Sequence, residues 1–169
     1  MQTEEKRILL ICARFFGYQL AIKAGLERLG YSVDWFDDRP ANTPLVKALI
    51  RLRPELIKPM SEAYFRKVLK QTQARRYEQI LVVKGEALSM ECTLAMREAH
   101  PESRFIYYTW DSLHNFKSKL DKIKLFDKAY SFDRHDVERY AGVRHLPLFY
   151  IPDYENLPEQ GKGTDIDLL

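Results

Sequence analysis

Short, unbroken apolar runs alternate along this chain with segments of helical periodicity, and that alternation constrains the fold more than any other feature. Arg7-Ile8-Leu9-Leu10-Ile11-Cys12 follows a charged leader and has no polar interruption. A strand with both faces buried reads this way, because each alternate side chain must find an apolar neighbour. The same pattern returns at 31–37, 79–83, 104–108, 128–132 and 143–146. Between the runs lie helical stretches. Leu20 to Leu29 closes on Gly30, and 45–76 is expected to break near Pro54 and Pro59, with Ser61 capping its longer piece. Further helices are expected at 89–100, 116–125 and 136–140. Strands alternating with helices at this spacing predict an α/β, Rossmann-like, doubly wound and mostly parallel sheet of about five or six strands, with helices on both faces.

At 169 residues and 46% apolar content, a chain buries roughly 70% of the surface its unfolded form exposes and needs no disulfide or metal staple. Cys12 and Cys92 both lie in apolar surroundings and read as buried free thiols of a reducing compartment. The longest apolar run, Ile8 to Ala13, is far short of the roughly 20 residues that span a bilayer. Met1 to Arg7 lacks the apolar core of a signal peptide. The expected location is therefore the cytoplasm.

The formal net charge of +3 conceals an uneven distribution. Residues 47–76 carry nine Lys and Arg against Glu55 and Glu62, whereas 150–169 carry five acids against Lys162. A basic helical stretch reads either as a solvated face or as a surface for an anionic partner. Nucleic acid is not expected, because the aromatic residues are dispersed through the apolar runs instead of being interleaved with the basic ones.

In an open parallel sheet, ligands bind outside the carboxyl ends of the strands. After the first strand come Ala13-Arg14-Phe15-Phe16-Gly17-Tyr18, with one glycine where a dinucleotide fingerprint needs three. No P-loop occurs, and Ala13-Arg14 lacks the carboxylates a phosphoacceptor receiver domain would place there. No His/Cys cluster has metal-ligand spacing and no Gly-x-Ser-x-Gly elbow is present. Two polar clusters remain. Thr109-Trp110-Asp111-Ser112-Leu113-His114-Asn115 combines ionisable and hydrogen-bonding groups with an indole, a composition suited to a polyol. Ser131-Phe132-Asp133-Arg134-His135-Asp136 is the second, although Asp133 also reads as a helix N-cap. Lys84 and Glu86 flank Gly85 at a tight turn, either solvated or pointing into the crevice.

The ordered set Val83-Lys84-Gly85-Glu86, Tyr107-Tyr108-Thr109-Trp110-Asp111-Ser112 with Asn115, Phe126 to Asp133 with Asp136, and His145-Leu146-Pro147-Leu148-Phe149-Tyr150 resembles the amino-terminal half of bacterial CgeB-like and lipopolysaccharide- or capsule-biosynthesis glycosyltransferases of the GT-B architecture. The resemblance implies an acceptor-side Rossmann-like domain over 1–150, with 151–169 as a linker leading into an absent second domain. The donor, a nucleotide sugar, would bind on that missing carboxyl-terminal half, and this half would bind no cofactor and be inactive alone. Its partners would be a sugar or lipid-linked acceptor, the missing domain, and an anionic membrane met through 47–76. An inverting enzyme needs a base for the acceptor hydroxyl, for which Asp111 is the first candidate, then His114 and Asp133. Gly17, Tyr18, Lys84, Gly85, Glu86, Trp110, Ser112 and Asn115 are the expected substrate-binding residues, and no metal ligands are expected. The alternative is a stand-alone Rossmann-like binding or interaction module without catalysis.

Overall fold

The computed structural model describes residues 6–114 and 120–151. Six strands form one sheet: β1 (Arg7–Cys12), β2 (Ser32–Phe36), β3 (Gln79–Val83), β4 (Arg104–Thr109), β5 (Lys128–Ser131) and β6 (Val143–His145). Their spatial order is β2-β1-β3-β4-β5-β6, and every neighbouring pair is parallel. The expected doubly wound α/β sheet is thus present, in the flavodoxin-like order.

The helices are α1 (Tyr18–Arg28), α2 (Pro44–Leu52), α3 (Pro54–Thr72), α4 (Met90–Ala99), α5 (Leu120–Ile123) and α6 (Arg134–Arg139). Side chains of β1 alternate between two apolar clusters, as the period of two for a strand requires. Leu9 and Ile11 join Ile80, Val82, Phe105 and Tyr107 in the larger cluster, with Phe65 and Val68 of α3 and Met96 of α4. Ile8, Leu10 and Cys12 join Val33, Val83 and Tyr108 in the smaller one, against which Ile22 and Leu26 of α1 pack. Residues of α2, α3, α4, α5 and α6 all meet the first face, and among the described residues α1 is the helix on the second.

Two expectations about local structure need correction. Helix α3 starts at Pro54 and runs without a break through Pro59. Ser61 is therefore not an N-cap but a buried residue inside the helix. Pro59 lies on the exposed side, and the carbonyl it cannot bond belongs to exposed Glu55, where water can serve it. The break expected near Pro54 is present at Arg53, which leaves helical geometry at φ −145° and ψ 62°. The expected helix from 116 is described only as α5, since 115–119 lie outside the described residues. Of the expected linker over 151–169, Ile151 lies within the described residues and 152–169 lie outside them.

No helix among the described residues is long and apolar enough to cross a membrane. The basic side chains of α2 and α3 point largely to solvent; Lys58 is paired with Glu91 at 2.8 Å and Arg75, just after α3, with Asp34 at 2.8 Å.

Candidate functional site

Strand order reverses between β1 and β3, and the crevice at the carboxyl edge opens there. Its floor is a set of charges contributed by loops distant in sequence. β3 ends in a tight turn where Lys84 takes φ +68° and Gly85 φ +61°. Glycine is required at the second position, since a Cβ would meet Val82 Cγ1 at 2.9 Å and Lys122 Nζ at 3.2 Å. The Tyr107 hydroxyl donates to the Lys84 carbonyl at 2.8 Å, and buried Lys122 donates to the carbonyls of Gly85 and Leu88.

This turn aims Lys84 between two acids. Lys84 Nζ lies 2.6 Å from Asp111 Oδ2 and 3.3 Å from Glu86 Oε1. Glu86 in turn meets Arg39 Nη2 at 2.8 Å, with both side chains 4% exposed. Asp38, fully buried, accepts the backbone N–H of Glu86 at 2.6 Å and of Ala87 at 3.3 Å. Asp37 accepts from the N–H of Arg39 and from Asn42 Nδ2. Acid and base alternate from Asp111 through Lys84 and Glu86 to Arg39, so each of these four charges meets one of opposite sign.

Above the charges stands an aromatic wall. Phe15 contacts Phe16 at a ring separation of 4.5 Å and Tyr18 at 5.9 Å; Tyr18 contacts Trp110 at 6.1 Å and Phe149 at 5.7 Å. The ammonium of Lys84 lies 5.9 Å from the centre of the Trp110 ring. Phe16 is 80% exposed yet holds φ +45°, a region that costs a bulky residue energy. Gly17 follows at φ +78° and opens α1, with no side chain capping that helix.

The second polar cluster is organised around Asp136. It is 2% exposed and accepts from Ser131 Oγ at 2.6 Å, Ser112 Oγ at 3.3 Å and the Leu113 N–H at 2.9 Å. It thereby ties the loop after β4 to the loop after β5. Asp133 caps α6, accepting the His135 N–H at 2.9 Å. Hydrogen bonds from Ser112 and from the His135 backbone hold its carboxyl below the usual range. His114 is exposed, with Nδ1 3.2 Å from Arg139 Nη1.

Gly17, Tyr18, Lys84, Gly85, Glu86, Trp110 and Asp111 thus gather at one edge, while Ser112 is turned to Asp136 and Asn115 lies outside the described residues. Sequence reasoning names Asp136 only as a member of the second polar cluster and gives no role to Asp38, Arg39 or Lys122, since a charge buried by tertiary contacts looks in sequence like any surface charge. Phe15, Phe16 and Phe149 were missed too, having the appearance of core residues. Cys12 is no nucleophile: burial, with the charges of Asp38 and Asp37, pushes its thiol up to about 12. Among the described residues no group of three or more His, Cys, Asp and Glu is placed to hold a metal ion.

No family model and no curated protein sequence matches the chain. Among solved structures it is similar to a response regulator from Burkholderia pseudomallei, described with a phosphorylated aspartic acid, calcium ion and citrate, at 17% identity, with 83% of this chain and 67% of that chain covered and a TM-score of 0.48. It is also similar to the response regulator TrrA of Thermotoga maritima in complex with Mg(2+)-BeF, at 16% identity over 79% of this chain and 92% of that one, TM-score 0.45. A complex of TrrA with the histidine kinase ThkA gives 15% identity, coverages of 79% and 93%, and a TM-score of 0.46.

These neighbours are response regulators and not glycosyltransferases. The resemblance to the CgeB-like and lipopolysaccharide- or capsule-biosynthesis transferases is corrected accordingly, and the acceptor-side role falls with it. So do the partners it implied: a sugar or lipid-linked acceptor, a donor-binding second domain and an anionic membrane against 47–76. In one of the neighbouring structures the partner is another protein, a histidine kinase. Locally, soft motifs at strand ends mislead because any parallel sheet places polar turns there, whatever the chemistry.

Proposed function

We propose that this chain is a binding module without catalysis of its own, and that the carboxyl edge of its sheet docks a protein partner. The observation that carries this reading is the division of labour at that edge. The ionisable groups are spent on one another, whereas Phe16 at 80%, Phe15 at 41% and Phe149 at 38% exposure leave apolar rings facing solvent. Exposed aromatic clusters rimmed by polar groups are what interfaces are built from. Trp110 and Tyr18 would give the contact area, and Lys84 with Asp111 the polar anchor at its base. Gly17, Gly85 and Glu86 would hold these groups in place. Asp133 and His114 would belong to the supporting loop, not to a reaction.

Phosphorylation, which appears in the description of one neighbour, gains no support from these residues. Asp38 and Asp136 are buried and hydrogen-bonded, Asp111 is held by Lys84, and the first residue after β3 is that lysine. The buried free thiols Cys12 and Cys92 suit a reducing compartment such as the cytoplasm.

A photoreactive phenylalanine analogue in place of Phe16 tests this reading, followed by titration of the purified crosslinked protein against Phe16→Ser and Trp110→Ala. The expected result is at least a tenfold loss of affinity for each variant and no mass gain when the protein is treated with acetyl phosphate and Mg²⁺. Undiminished binding by both variants, or an acid-stable or aspartyl phosphate adduct, would overturn it.

A further inference from the structure

Ser61 reads in sequence as a helix cap, and the fold leaves its hydroxyl with nothing to cap. The residue lies inside α3 and is 4% exposed. Its Oγ is buried without a hydrogen-bond partner, so it does not bond back to a carbonyl of the preceding turn, the usual resource of a serine within a helix. A hydroxyl in that state carries a desolvation cost that nothing offsets, and such groups call for a specific explanation. Ser61 lines a cavity of about 330 Å³ between α3 and the loop from β3 to α4. That volume is at the small end of ligand pockets, which run from roughly 300 to 1,000 Å³.

The polar groups on the rest of the lining are already engaged. Lys58 meets Glu91 at 2.8 Å, and Glu55 lies 4.0 Å from Arg53. Glu86 meets Arg39 at 2.8 Å and Lys84 at 3.3 Å, while Lys122 donates to the carbonyls of Gly85 and Leu88. The Ser89 hydroxyl is taken by the Cys92 N–H at 3.1 Å. A charged ligand would compete with these pairs, whereas a neutral one would leave them intact. Beyond them the wall is apolar: Ile50, Ile57, Ala87 and Leu88 are buried, and Met90, 41% exposed, continues it toward solvent.

We infer that this cavity binds a small neutral alcohol, an apolar body carrying a single hydroxyl. The body displaces water from Ile50, Ile57 and Leu88, which supplies affinity. The hydroxyl pairs with Ser61 Oγ, and because an alcohol both donates and accepts, it matches a serine in either sense. Selectivity follows from the same atom: a ligand without a hydrogen-bonding oxygen leaves the Ser61 hydroxyl as costly as before. The site is built from α3 and the loop before α4 instead of the exposed rings of the aromatic edge, and it stands or falls independently of the function proposed for that edge.

The test titrates the full, isotope-labelled chain with probes of similar size: benzyl alcohol, toluene, benzoate and benzylamine. Amide NMR spectra are expected to show saturable shifts with benzyl alcohol at residues 57–61 and 86–91, Pro59 excepted, and at least fivefold weaker binding of each other probe. Ser61→Ala should bring benzyl alcohol down to the affinity of toluene and leave toluene within twofold of its own value. Its melting temperature should not fall, since the hydroxyl it removes has no partner to lose. The order of the probes on the unaltered chain decides the matter even if that variant folds poorly. Toluene binding as tightly as benzyl alcohol, tightest binding by benzoate or benzylamine, or shifts centred elsewhere in the chain would overturn the inference. So would a preference unaltered by Ser61→Ala in the folded variant, or shifts that grow without saturating, the mark of an adventitious additive only.

Discussion

Arg39 Nη2 lies 2.8 Å from Glu86 Oε2, joining residues 47 apart in the chain, with both side chains almost wholly out of water. A buried pair of this kind is expensive to break on one side only, because the remaining charge keeps its desolvation cost and loses its partner. Arg39 already has its Nε buried without a hydrogen bond. Glu86→Ala is therefore expected to cost about 3–5 kcal/mol. Arg39→Met combined with Glu86→Leu should cost clearly less than the sum of the two single changes. Urea denaturation of the four proteins in a double-mutant cycle measures this, and strict additivity would refute the coupling.

Lys84 combines a useful side chain with a costly backbone, at φ +68°. Lys84→Ala removes the contacts to Asp111 and Glu86 and keeps the strain; Lys84→Gly removes the same contacts and relieves it. The glycine variant should be the more stable of the two by roughly 1 kcal/mol. Thermal melts compare them directly. An alanine variant as stable as the glycine one would mean the turn carries no strain.

The carboxyl of Asp34 is held below its usual range. Burial alone would raise it, but hydrogen bonds from Arg75 and Tyr77 and the charges of Arg75 and Arg7 outweigh that effect. Tyr77 donates at 2.7 Å, and Arg75 approaches to 2.8 Å. A depressed folded value stabilises the protein at every pH above the unfolded value of about 3.9, and the benefit is lost as pH falls through the folded value. Asp34→Asn should cost about 1–2 kcal/mol at neutral pH, with the gap closing below about pH 4. Denaturation at several pH values checks this; a gap that widens on acidification would contradict it.

Cys12 has no exposed surface, and its thiol is pushed up to about 12. Native protein at about pH 8 should therefore react with a disulfide reagent at this position only as fast as the molecule opens. Mass spectrometry of the labelled peptide against time distinguishes this from a reactive thiol, which would label within seconds.

The architecture was legible because the information was local. Ile8 to Cys12 carries apolar side chains at both phases of the strand period, and only a strand buried on both faces requires that. The helix expected over 89–100 is α4, Met90–Ala99, with the Ser89 hydroxyl accepting the Cys92 N–H at 3.1 Å at its start. The expectation at Ser61 failed because Pro59 looks like a break but sits on a solvent-facing turn. Asp133 reads in sequence chiefly as a helix N-cap and behind Asp111 as a candidate base; its bond from the His135 N–H makes it the cap of α6.

The edge itself was only partly legible. Lys84, Glu86, Trp110 and Asp111 were found because they follow strands. Their use in an ion-pair chain was not, since it depends on Arg39 and Asp38 arriving from the loop after β2. Phe15, Phe16, Tyr18, Trp110 and Phe149 form one surface only because the loops after β1, β4 and β6 meet there.

By itself the sequence determined which segments are strands, which are helices, and that the sheet is parallel, because periodicity and turn chemistry act over a few residues. Tertiary structure alone decided which charges are buried against each other, which aromatic rings stay in solvent, and which face of the sheet each described helix covers. Those outcomes depend on desolvation and on register between segments tens of residues apart, neither of which leaves a local trace in the chain.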